Sequence, residues 1–299
     1  MSQSNFSGRE AVSVIIVNYN AGSFLLDTVN AVLDSGVVVK VIVVDNGSLD
    51  YSMDKVCDLA ASQPLLVCIH NKANVGFAKA CNIGISFAGE NDDLLFLNPD
   101  CIMNPDALEK MLIALRSNPQ AAMVGPLLLN DDGTEQAGGR RLVPTPWRTF
   151  VRVFGLSKLS ERYPKLFSDF LLHQQPLPED TVEVEAISGS CMLVRRQAIK
   201  DIGLLDEEYF MHCEDLDWCM RFRRGKWKIM FVPDARVVHY KGVCSEKRPL
   251  FVEWHKHKGM IRFYKKFFRN QYPGIVMWIV ALGVWLRFGA LAVWLFIRR

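Results

Sequence analysis

No two of the eight cysteines, Cys57, Cys68, Cys81, Cys101, Cys191, Cys213, Cys219 and Cys244, have C-x-x-C spacing. That absence argues against the common zinc and dithiol motifs. Most of these residues sit inside apolar runs, so reduced, buried thiols of a cytosolic domain are expected. Residues 1–10 are polar and lack a basic stretch followed by an apolar one, so no signal peptide is expected. Internal repeats and low-complexity segments are also absent. Acid is scarce at one end: after Glu246 the chain has eleven Lys/Arg and a single acid, Glu253, leaving 24 basic and 31 acidic residues before it. A mildly acidic body argues against a nucleic-acid partner. A basic tail beside an apolar segment suggests a membrane surface.

What is present is enough for a large core. Half of the 299 residues are apolar, room for one large domain or two small ones. The β-branched runs at 12–17 and 37–44 read as parallel strands buried on both faces. Between them Phe24, Leu25, Val29, Val32 and Leu33 recur at helical spacing, and Gly36 suits the helix end. Helices at 51–61 and 75–88 alternate with strands at 65–69 and 94–97. Short links between them predict an open α/β sheet, which binds ligands beyond the carboxyl ends of its strands. Asn18, Asp45 and Asn98 to Asp100 lie at such ends.

From 130 to 180 regularity weakens, and Gly138, Gly139, Pro144, Pro146 and Pro164 among others predict a long, partly helical insertion over the site. Order returns with a strand at 186–194, a helix from Glu214, and strands at 227–232 and 235–240. In the tail, Phe251, Trp254, Ile261, Tyr264, Phe267 and Phe268 interleave with Lys256, Lys258, Arg262, Lys265, Lys266 and Arg269, as in a basic amphipathic helix. Residues 275–297 are apolar except for Arg287, and a helix of that length spans roughly 34 Å. A central charge costs about 3 kcal/mol on insertion scales. The segment is read as spanning a bilayer or as two interfacial pieces hinged near Arg287; a buried core helix is the third reading, disfavoured by its five aromatic residues and few polar groups.

The chemistry-bearing residues fall in two acidic clusters. In Met211-His212-Cys213-Glu214-Asp215-Leu216-Asp217-Trp218, three carboxylates stand where a helix begins. The helix N-terminus favours the ionised form of Asp215, as a general base requires. Asp217 and Arg221 are i,i+4 partners. In Leu97-Asn98-Pro99-Asp100, hard oxygen ligands at a strand end suit a divalent ion on a diphosphate, although Asn-Pro-Asp is also good turn chemistry. Asp45 can accept from a base or ribose, or form an Asx turn. Gly76, after Asn74, would let backbone approach a ligand, but it stands outside any G-x-G-x-x-G fingerprint. Gly189 between Ser188 and Ser190 permits close approach of substrate, or marks a bulge. His239 ends a strand and could complete a metal site.

Taken in order, six motifs resemble the family-2 inverting glycosyltransferases, most closely the bacterial rhamnosyltransferase branch. They are Val14-Ile15-Ile16-Val17-Asn18-Tyr19-Asn20, Val43-Val44-Asp45-Asn46-Gly47-Ser48, Asn74-x-Gly76-Phe77-Ala78-x-Ala80-x-Asn82, Leu97-Asn98-Pro99-Asp100, Ser188-Gly189-x-x-Met192-Leu193-x-Arg195 and Glu214-Asp215-x-Asp217. The resemblance covers about residues 11–245. It implies a GT-A fold, with the catalytic domain at 1–246 and a membrane-associating tail at 247–299. It also implies a nucleotide-diphosphosugar donor, a glycan or lipid-linked acceptor, and Mg²⁺ or Mn²⁺ as cofactor. Asn18, Tyr19, Asp45, Asn74, Gly76, Asn82 and Asn98 fall on the donor side. Gly189, Ser190, Glu214 and Asp217 fall on the acceptor side. Asp215 matches the catalytic base, and Asp100 with His239 holds the metal, Asn98 standing where the family's first acid lies.

The expected reaction is rhamnosyl transfer from dTDP-rhamnose to a lipid-linked or cell-surface polysaccharide. A UDP-hexose donor, a nucleotidyltransferase and an inactive membrane scaffold are the competing readings. Eight Lys/Arg in 247–269 against two after 297 place the domain on the cytoplasmic face of a bacterial inner membrane, with membrane lipid as a partner.

Overall fold

The computed structural model describes residues 11–240, 242 and 248–297. Residues 1–10, Cys244 and the expected 246/247 boundary lie outside them. The first half alternates as expected: β1 (Val12–Asn18), α1 (Phe24–Leu33), β2 (Lys40–Asp45), α2 (Ser52–Ala60), β3 (Leu66–His70), α3 (Phe77–Ile85) and β4 (Asp93–Leu97). β1 and β2 pair in parallel, with Asn18 opposite Asp45. Each strand is buried on both faces, which explains its continuous β-branched run. Ile15, Val17, Ile42 and Val44 point into one core, and Val14, Ile16, Val41 and Val43 into the other.

β5 (Cys101–Met103), α4 (Ala107–Ser117) and β6 (Ala121–Leu129) follow, then the two-residue β7 (Arg140–Arg141). The 130–180 insertion contains α5 (Pro146–Val153), a 3₁₀ turn (Leu156–Glu161) and α6 (Pro164–Phe167). β8 (Val182–Val184) leads to β9 (Ala186–Ile187), β10 (Cys191–Val194) and α7 (Arg196–Ile202). The strand expected at 186–194 is therefore split. β9 pairs with β7 in a small second sheet, whereas β10 runs antiparallel between β4 and β6. The two strands expected at 227–232 and 235–240 are instead one, β11 (Lys228–His239), which follows α8 (Glu214–Arg224). Pro233 sits where the register with β6 shifts, so the chain bends without leaving the sheet. The main sheet runs β3-β2-β1-β4-β10-β6-β11-β5, with β8 on β11.

The tail forms α9 (Pro249–Phe268) and α10 (Gly274–Ile297). The apolar residues in the second half of α9 are not left for lipid: Phe263, Tyr264, Phe267 and Phe268 are buried in the core with Trp218 and Phe222 of α8, whereas Leu250, Phe251 and Trp254 stay exposed. Its basic face is partly tied down, Arg262 and Lys266 reaching Asp206 at 2.9 and 2.6 Å. Burial opposes ionisation of Asp206, but Lys266 and Arg262 outweigh it and hold the carboxyl at about 2. α10 packs on α9 through Trp254 against Trp285 and Phe288, yet none of its residues is buried. It is long and apolar enough to cross a membrane.

Candidate active site

Strand register builds the first centre. β11 runs antiparallel to β5 with His239 directly opposite Cys101, which brings His239 Nε2 to 3.3 Å from Asp100 Oδ1. Asp100, Cys101 and His239 are all buried, and their ligand atoms lie within 4.8 Å of one another. Nothing in the spacing of Cys101 points to this position. Gln136 sets the ring. Its Nε2 donates to Asn130 Oδ1 (3.1 Å) and to the His239 carbonyl (3.2 Å), so Oε1 is the atom facing His239 Nδ1 at 2.7 Å. An amide oxygen can only accept, so Nδ1 carries a hydrogen and a neutral ring directs the lone pair of Nε2 at Asp100. Asp100 Oδ1 has no hydrogen-bond donor. Two facing acceptors repel unless a proton or a cation lies between them, so this pair fits a divalent ion. The Cys101 N–H donates to the Asn98 carbonyl (3.2 Å), closing a turn, and the Asn98 N–H donates to the Ser190 carbonyl (2.8 Å), so the turn chemistry of 98–100 is real as well.

The second centre opens α8. His212 and Cys213 both adopt left-handed backbone, at φ 64° and 71°, before the helix starts. Such conformations are costly for residues with side chains and mark a constrained turn. Asp215 Oδ2 accepts the Gly189 N–H (3.0 Å), and Oδ1 accepts the Leu216 N–H (2.7 Å). Arg141, from the insertion, forms an ion pair with Oδ2. A Cβ at Gly189 would stand 3.2 Å from the Asp215 Cβ, so the close approach that Gly189 allows is that of Asp215. Glu214 is buried with Oε2 unpartnered. Burial, then the neighbouring Asp215 charge, pushes its carboxyl up to about 8. Glu214 thus favours its protonated form at neutral pH. Ser190 joins the two centres, its carbonyl on Asn98 and its hydroxyl accepting from Ser188 at 3.1 Å.

The third group lies at the ends of β1 and β2. Asn18 is fully buried and donates to Asp45 (2.9 Å), Ser48 (3.0 Å) and Ser52 (2.8 Å). Asp45 also accepts from the Ser48 N–H at 3.3 Å, three residues on, one residue beyond the reach of an Asx turn. Tyr19 follows, half-buried.

Several expected site residues are placed differently. Asn82 spends its amide on Leu205 and Glu207, holding α3 to that loop rather than facing a donor. Asn74 bonds Asn46 and the Gly76 N–H, both at 3.0 Å. Gly76, at φ 93°, is approached by chain rather than ligand: a Cβ there would stand 2.8 Å from the Phe210 carbonyl. Asp217 is wholly buried and pairs with Arg221 (2.7 Å) and Lys266 (2.6 Å), out of reach of an acceptor. Of the seven described cysteines, Cys81, Cys101, Cys191, Cys213 and Cys219 are buried.

Residues 13–203 match the family model described as "Glycosyl transferase family 2". The N-acetylglucosaminyl-diphospho-decaprenol L-rhamnosyltransferase of Mycobacterium tuberculosis is 29% identical over 253 residues, 80% of this chain and 79% of that one. Among solved structures, the mannosyltransferase PcManGT from Pyrobaculum calidifontis, in complex with GDP-Man and Mn²⁺, matches with a TM-score of 0.58 at 15% identity, over 96% of this chain and 76% of that one. GalNAc-T7 with UDP, GalNAc and Mn²⁺ also gives a TM-score of 0.58, at 17% identity, over 78% of this chain and 44% of that one.

Proposed function

Because the chain belongs to glycosyl transferase family 2, we propose that it is an inverting rhamnosyltransferase, moving rhamnose from dTDP-rhamnose to a hydroxyl of a lipid-linked or cell-surface glycan. The named activity of the mycobacterial relative supports the sugar and the lipid-linked acceptor. The observation that carries the mechanism is the Asp215 carboxylate, held by two backbone N–H groups at the start of α8. Asp215 takes the proton of the acceptor hydroxyl. The freed oxygen forms a bond to the anomeric carbon from the face opposite the diphosphate. The bond from that carbon to the diphosphate oxygen breaks, and its electron pair leaves on the diphosphate. One base and one displacement invert the centre, and no enzyme nucleophile takes part.

Asp100 and His239 would hold a divalent metal, Mg²⁺ or Mn²⁺, with the Cys101 thiol beside them. When bound, that ion supplies positive charge against the departing diphosphate. Asp45 and Tyr19 take the nucleoside at the ends of β1 and β2, with Asn18 bracing Asp45. α10 associates with the membrane, and the basic residues preceding it favour the cytoplasmic face. Incubating purified protein with a panel of dTDP- and UDP-sugars and a polyprenyl-diphosphate glycan tests the assignment. Transfer from dTDP-rhamnose with inverted anomeric configuration is expected. Transfer only from a UDP-hexose would replace the donor.

A further inference from the structure

Arg141 is in the wrong place for a resting general base. It forms an ion pair with the Asp215 carboxylate, which already accepts two backbone N–H groups. With the Gly189 N–H and the guanidinium on Oδ2 and the Leu216 N–H on Oδ1, little of the carboxylate is left open to an acceptor hydroxyl. For Asp215 to act, the guanidinium must leave, and its own unmet bonding indicates where it goes. Arg141 Nη2 also reaches the Ile187 carbonyl (3.1 Å), but Nε is buried with no acceptor. A buried, half-satisfied guanidinium fork matches an anion offering several oxygens better than it matches one carboxylate oxygen.

The surrounding segment points to the same ligand. Only a few residues separate Arg141 from Gln136, which fixes His239 at the other centre. Gly138 lies between them at φ 92°, and a Cβ there would meet no atom within 4 Å. One short stretch thus touches both the metal-binding pair and the base.

We propose that Arg141 is a diphosphate ligand which Asp215 occupies in the resting site, so that diphosphate binding withdraws the guanidinium and releases the base. Arg141 takes this role only if Asp215 is the base, a premise that turnover of D215N tests separately. The diphosphate could belong to the sugar donor or to a lipid-linked acceptor, since both carry one.

Binding of dTDP and of farnesyl diphosphate is measured by calorimetry for wild type, R141Q, D215N and R141Q/D215N, each checked for a folded melting transition. If Asp215 and the ligand compete for Arg141, D215N tightens binding by about 5- to 150-fold, the range of ordinary site coupling. The gain disappears in the R141Q background, and R141Q alone weakens binding. The cycle seen with dTDP assigns the donor's diphosphate, and the cycle seen with farnesyl diphosphate assigns the acceptor's. Equal tightening with and without Arg141 is bulk charge and overturns the proposal, as does no change with either ligand. Should R141Q not fold, R141K replaces it, keeping the charge and losing the fork.

Discussion

Gln136 holds His239 at two points, accepting from Nδ1 at 2.7 Å and donating to the same residue's carbonyl at 3.2 Å. The amide belongs to the insertion after β6, and the ring belongs to the end of β11. The contact fixes both the angle of the imidazole and the nitrogen left to face Asp100.

Replacing Gln136 with Ala should therefore lower metal affinity without touching a ligand atom. Losing such an outer hydrogen bond typically costs about 10- to 100-fold. Mn²⁺ titration followed by electron paramagnetic resonance reads this without any turnover. Unchanged affinity in Gln136→Ala would remove His239 from the ligand set.

Asp215→Asn should reduce transfer by about 10²- to 10⁴-fold, the usual contribution of a positioned base. The variant should still bind dTDP. Radiolabelled transfer assays under saturating donor measure the loss, and near-normal turnover would move the base elsewhere.

Glu214 predicts a pH dependence of stability. Its carboxyl sits at about 8 in the fold, well above the ordinary 4.5, because of burial and then Asp215. The folded chain thus binds more protons than the unfolded one between those values. The contribution of Glu214 is fully present below about 4.5 and is lost as pH rises through about 8. Glu214→Gln should flatten that decline. Urea unfolding at intervals from pH 5 to 9 gives the slope, and an identical slope in the variant would contradict a neutral Glu214.

Truncation separates packing from membrane association. A chain ending at 246 loses Phe263, Tyr264, Phe267 and Phe268 from the core, and each large buried side chain is worth about 3–5 kcal/mol. It should fail to fold. A chain ending at 272 keeps α9 and Tyr272 and should stay folded while no longer sedimenting with membranes. A folded 1–272 protein that still sediments would show a second membrane contact. A reporter after Arg299 distinguishes a span, read outside, from an interfacial helix, read inside.

The parts of this fold that a linear reading reaches are those with a period. The runs through Ile15 and Val43 alternate between two cores, and that double burial is written in β-branched residues. Asp215 at a helix start and Asp100 at a strand end are likewise visible, because position along an element sets their backbone surroundings. α4 and β6 are missing from the expected elements, and Gly125-Pro126 interrupts the apolar pattern of the second. Side-chain direction is not legible. Asn82 and Asp217 carry the same groups whether they face a ligand or a neighbouring loop, and only tertiary partners decide. Gln136 and Arg141 lie in an irregular segment where no period exists. Their roles follow from which strands the insertion crosses.

Gly259 of α9 lies directly under the constrained turn before α8: a Cβ there would stand 2.9 Å from the His212 carbonyl. The same helix carries Trp254 against α10. The turn that positions Asp215 and the apolar helix thus both rest on α9, and only residues 269–273 separate α9 from α10. On the proposed membrane role of α10, this packing would hold the turn before α8 at a set elevation above the lipid headgroups.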